Sequence, residues 1–77
     1  MDSWAATDKV YAGNGGVDIP NKQEPSQEKQ ATGFAPTYFD AKGNLVFGDG
    51  ISAQEMNFIL NDLYTKYNAL LARANQP

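Results

Sequence analysis

From position 51 onward, apolar residues recur with a helical period. Met56, Leu60, Leu63, Tyr67, Leu70 and Ala74 are spaced alternately by four and three, which predicts an α-helix with one apolar seam. Written as heptads, Leu60, Tyr67 and Ala74 share one core position, and Met56, Leu63 and Leu70 share the other. Ile59, Tyr64 and Leu71 widen the stripe on both flanks, which suits burial by two neighbouring helices better than a thin two-stranded zipper. The start of the helix is encoded by Ser52-Ala53-Gln54-Glu55. This is a capping box, in which the Ser52 hydroxyl and the Glu55 carboxylate each satisfy an orphan backbone N–H. Ile51 and Met56 occupy the positions of a hydrophobic staple. Asp62 and Lys66 form a favourably oriented pair four residues apart. Asn75-Gln76-Pro77 closes the helix, since proline resists its continuation. The expectation is one helix over residues 52 to about 75, with Asn61 and Asn68 outside the seam and facing solvent.

Upstream the pattern changes twice. In residues 31–50, Phe34, Tyr38 and Phe39 precede the turn Asp40-Ala41-Lys42-Gly43-Asn44, and Leu45, Val46 and Phe47 follow it. Glycine stands where a type I turn with a bulge needs a left-handed residue, so a short β-hairpin is expected. Two strands alone are unstable in water. Pro36 confines the first strand to an edge or a start, which makes the hairpin a candidate for docking against the helix base or a neighbouring sheet. Gly48-Asp49-Gly50 forms a corner into the helix. Residues 21–30, NKQEPSQEKQ, contain no apolar side chain and read as a linker without means of folding itself. In residues 1–20, large apolar side chains such as Trp4, Val10 and Tyr11 are isolated among small ones and cannot make a core. Trp4 is either solvated or an anchor for a partner's pocket, since aromatic anchors dominate interface energies. Gly13-Asn14-Gly15-Gly16 lacks the spacing of a dinucleotide fingerprint and reads as a flexible turn. The expected architecture is therefore a mostly irregular, extended N-terminal half, a short β-hairpin and one C-terminal amphipathic α-helix in an oligomeric bundle or coiled coil. Its parts are a docking arm and linker (1–30), a hairpin and glycine corner (31–50) and an oligomerising helix (51–77).

Composition strengthens the intermolecular reading. A chain of 77 residues seldom folds alone without disulfides, metal or oligomerisation. There is no cysteine and no histidine, which removes disulfides, thiolate or imidazole metal sites and the commonest general base. Nine acidic residues against six basic ones, with no basic cluster, argue against nucleic acid as a partner. No run approaches a membrane span, and the N-terminal residues lack the pattern of a signal peptide, so a cytoplasmic site of synthesis is expected. The string from Asp49 to Glu55 has the outline of half a calcium loop, but aligning Glu55 as last ligand puts Asn44, Val46 and Gly48 at the first three oxygen positions and Asp49 at the required glycine. The ligand set fails. Asp40 and Asp49 read as turn formers, and no serine or threonine has a histidine to activate it. Neither an enzyme, a cofactor nor a small-molecule substrate is expected.

Residues 33–64 run from a TGFAP segment through an aromatic pair, a DAKGN turn and a GDG corner to ISAQEMNFILNDLY. This order resembles the N-terminal regions of bacteriophage tail fibres and related tail appendage proteins, in which a glycine-rich corner, a Ser/Thr-Ala start and a helix with an early Asn precede a trimeric shaft. Gly50, Ser52, Ala53, Met56, Asn57 and Leu60 carry the likeness, which covers under half of the chain. The resemblance implies a structural virion protein, assembled in the host cytoplasm, whose partners are copies of itself, as a trimer, and other tail proteins. It leaves open a small tail or neck adaptor and the anchor of a longer fibre. The expected interaction residues are Trp4, Tyr11, Phe34, Tyr38, Met56, Leu60, Leu63, Tyr67 and Leu70, with Ser52 and Glu55 as the helix cap. The alternative, from a different class, is a cytosolic module whose amphipathic helix fits a groove on a host or regulatory protein.

Overall fold

A computed structural model describes residues 3–75. Met1, Asp2 and the Gln76-Pro77 part of the helix stop lie outside the described residues. In chain order the elements are β1 (Val10–Ala12), β2 (Asp18–Pro20), α1 (Gln27–Thr32), β3 (Tyr38–Phe39), β4 (Leu45–Val46) and α2 (Ala53–Ala74). The strands form two separate antiparallel hairpins, β1–β2 and β3–β4.

Helix α2 begins where its cap predicts. Ser52 keeps extended backbone angles, and its Oγ accepts from the Glu55 N–H at 3.2 Å. The reciprocal half of the capping box differs from expectation. The Glu55 carboxylate accepts from the Ser52 hydroxyl at 3.0 Å and reaches across to Lys29, a stronger, charged donor. Ile51 and Met56 both remain exposed. The Asp62–Lys66 pair forms at 2.7 Å.

The hairpin β3–β4 also forms as expected, with Tyr38 opposite Val46 and Phe39 opposite Leu45. Asp40 organises its turn by accepting from the N–H groups of Lys42 and Asn44, and Gly43 takes φ +83°, a left-handed value that only glycine adopts cheaply. The pairing extends toward the base of the hairpin. Gly48 N donates to Thr37 Oγ1, Asp49 N donates to the Ala35 carbonyl, and the Asp49 carboxylate accepts from Ala35 N. Gly48 packs so closely on the backbone of Ala35 and Pro36 that a β-carbon would collide with both.

The first thirty residues depart from the sequence reading. The glycine cluster is an ordered turn: Asn14–Gly16 forms a single 3₁₀ turn, and Gly13 N donates to Val17 O at 2.7 Å, placing Tyr11 opposite Ile19. Positive φ at Gly15 and Gly16 makes that reversal possible. Part of the expected linker is helical as well. Ser26 caps α1 by accepting from Lys29 N, and Gly33 stops it at φ +79° while donating to the Lys29 carbonyl. Short caps and glycines act here where apolar periodicity is silent.

No large apolar side chain among the described residues is buried. The buried positions are Pro25 and Glu55. The radius of gyration is 17.3 Å, against roughly 11 Å for a compact domain of this length. Much of this elongation comes from α2, whose distal turns project beyond the rest of the chain.

The contact at Gly48 gives a paired test. Gly48→Ala should destabilise the chain by roughly 1–3 kcal/mol, whereas Gly50→Ala, whose added carbon meets open space, should leave the thermal midpoint within a few degrees of wild type. Equal midpoints for the two variants would contradict the close approach at Gly48.

Candidate assembly surface

The arm returns to the helix by hydrogen bonds. At roughly 100° per residue, Gln54, Asn57 and Asn61 fall on one side of α2, Glu55, Phe58 and Asp62 continue around it, and both groups lie away from the seam. Asn57 serves both flanks of the arm: its Oδ1 accepts from Trp4 Nε1 at 3.0 Å, and its Nδ2 donates to the Asn21 carbonyl at 2.9 Å. One turn on, Asn61 Nδ2 donates to the Trp4 carbonyl at 2.8 Å. Gln23 N donates to the Gln54 carbonyl at 3.0 Å, a carbonyl in the first turn of α2. Asn21 also holds the open end of the first hairpin, exchanging bonds with Lys9 and donating to the Thr7 carbonyl.

On the neighbouring side, Lys29 of α1 places Nζ 3.0 Å from Glu55 Oε2 and 3.3 Å from Oε1. The Glu55 side chain is only 11% exposed. Lys29 also lies over the Phe34 ring, 5.6 Å from its centroid, a cation–π contact. The hydrogen bond from Lys29 holds the Glu55 carboxyl below the usual glutamate range. Removal from water opposes that shift, and the Ser52 hydroxyl and the Lys29 charge reinforce it.

These contacts consume the side of α2 that looks least apolar and leave most of the seam exposed. Met56, Leu63, Tyr67 and Leu70 are 39%, 58%, 59% and 64% exposed, and Leu60 is half-buried. The other expected interaction residues scatter. Trp4 is an anchor, but for this chain's own Asn57. Phe34 is half-buried beside Phe58 in a cleft at the α1–α2 junction, and Tyr11 and Tyr38 lie exposed on the two hairpins. Asn61 is corrected from a solvent-facing position to a half-buried one that holds Trp4. Lys29, Asn21, Pro25 and Phe58 were missed. Phe58 carried a signal, an apolar residue on the far side of the helix from the seam, which means that a second side of α2 is covered.

Among the described residues, no group of three metal-ligating side chains occurs, and no helix is long and apolar enough to cross a membrane. No protein-family model, curated protein or solved structure matches the chain. The exposed part of the seam is an apolar stripe on a helix whose base is clamped.

Two outcomes follow from the clamp. Because the folded-state pKa of Glu55 is depressed, its contribution is complete above the unfolded value of about 4.3 and is lost as pH falls through the lower folded value. Wild type should therefore lose thermal stability as pH falls below about 4.3, and Lys29→Met should flatten that acid limb while lowering the plateau at neutral pH. A Lys29→Met profile parallel to wild type would exclude the pair as the cause. Asn61→Asp should detach the arm, since a carboxylate would replace the donor facing the Trp4 carbonyl. Amide exchange near Trp4 should then accelerate, and unchanged protection would refute the role assigned to Asn61.

Proposed function

We propose that this chain is a structural assembly protein that associates with copies of itself through the seam of α2, while its folded base docks on other components. The observation that carries this reading is the placement of the chain's own arm. It covers the side of α2 bearing Gln54, Asn57, Asn61, Glu55 and Phe58 and leaves Leu63, Tyr67 and Leu70 exposed in heptad register. An intramolecular core would consume the seam, because burying a Leu or Tyr side chain contributes roughly 1.5–3 kcal/mol. Apolar flanking residues on both sides favour three copies over two. The likeness of residues 33–64 to tail-fibre N-terminal regions supplies the setting: a virion protein of a tailed phage, a fibre anchor or a tail or neck adaptor. The exposed hairpins, with Tyr11 on one and Tyr38 on the other, are the surfaces left for tail proteins.

Sedimentation of the purified chain should give trimers. Leu63→Asp would bury one carboxylate per copy at a shared axis, where like charges and lost hydration compound, and should return the chain to monomers. Thr65→Asp, on the opposite side of the helix, should preserve the oligomer. Matching masses for the two variants would mean that association does not use this face. A monomer that binds a single unrelated target through Leu63 would instead favour groove recognition.

A further inference from the structure

Between α1 and the middle of α2 lies a cleft of about 220 Å³, whose lining is apolar at Pro25, Phe34, Phe58, Ile59 and Leu63 and polar at Lys29, Gln30 and Asp62. A closed apolar cavity of about 150 Å³ is enough to hold benzene, so a phenol ring fits here. Leu63 also belongs to the seam and Ile59 to its flank, so the cleft is continuous with the surface assigned above to self-association. Building on the proposed self-association, we infer that Tyr64 of an adjacent copy fills this cleft, in a parallel, in-register assembly.

Charge selects the parallel direction. The flank of the seam that carries Ile59 continues with Lys66 and Arg73, and the other flank carries Asn57, Tyr64 and Leu71. In an antiparallel pair like flanks face each other, which sets Lys66 and Arg73 against the same two cations of the next copy. Neither flank contains an acidic residue to offset them, Glu55 is held by Lys29, and Asp62 holds Lys66 from its own chain. In a parallel assembly each flank faces the opposite one five residues further on. Lys66 then lays its aliphatic stem along Leu71 of the next copy, and Ile59 meets Tyr64. The Tyr64 ring, half-buried in its own chain, covers Ile59 and enters the space beside Phe34 and Phe58. Its hydroxyl reaches Gln30 or Asp62, the polar partner that a buried tyrosine requires.

The native chain has no cysteine, so single introduced thiols report these contacts. Full-length chains carrying Ile59→Cys and Tyr64→Cys, distinguished by isotopic mass, are mixed and oxidised. The expected product is the 59–64 heterodimer, with little crosslinking of either variant alone. Crosslinks of each variant to itself and none in the mixture would establish an antiparallel pair and overturn the inference. Independently, Tyr64→Ala should weaken association at least about tenfold, and Tyr64→Phe by no more than about threefold, with helix content checked by circular dichroism. Unchanged association of Tyr64→Ala would remove the tyrosine from the cleft. A wild-type chain that stays monomeric would sink the self-association reading itself, a result distinct from an oligomer that forms without the 59–64 crosslink.

Discussion

The polar clamp on the first turns of α2 is the constraint on which the rest of the structure depends. Trp4, Asn21, Gln23 and Lys29 come from widely separated points in the first thirty residues, and all close on helix groups between Gln54 and Asn61. With no large apolar side chain buried among the described residues, these bonds, with the partial cover at Pro25, Phe34 and Phe58, fix the arm's path. Each neutral hydrogen bond contributes only about 1 kcal/mol net. The clamp therefore works through number and convergence, and Asn57, which takes one bond from Trp4 and gives another to Asn21, couples its two halves.

What was legible in the sequence and what was not follows from the physics of each element. Helix α2 was legible because it carries three independent signals: a cap at Ser52, a seam at helical spacing and a length of several turns. The β3–β4 hairpin was legible because Asp40 and Gly43 write its turn chemistry locally. The β1–β2 hairpin was not, since three-residue strands are too short for alternation to register, and a glycine-rich reversal looks the same in sequence whether ordered or free. Helix α1 escaped for a related reason. It has six residues and no large apolar side chain, so its stability comes from the Ser26 cap, the Gly33 stop and an ion pair to a residue twenty-six positions away. No local pattern encodes that partner.

The candidate surface shows the same division. The seam could be read from spacing alone, but whether the chain would spend it internally could not. Among the described residues fifteen large apolar side chains remain exposed, and it is this surface that the proposed self-association would cover. Trp4 illustrates how tertiary context decides between two fair readings. Its indole N–H finds Asn57 within the chain, so it orients the arm, while the residue stays 39% exposed.

A division of labour along α2 follows. The N-terminal turns are held by directional polar contacts that fix one geometry, and the distal turns carry the exposed apolar side chains Leu63, Tyr67 and Leu70. Directional contacts hold the arm and its hairpin against the helix base in one geometry, because each bond tolerates little displacement. Apolar contacts suit the end to which self-association is assigned in the proposal above, because a heptad repeat sets register between copies. The Pro25–Phe34–Phe58 cleft lies at the junction of the two regimes, where Leu63 belongs to both. Lys29 lines this cleft as well as holding Glu55, so a change that loosens the clamp at Lys29 also alters the cleft wall and, under the proposed self-association, couples the seam to the fold of the base.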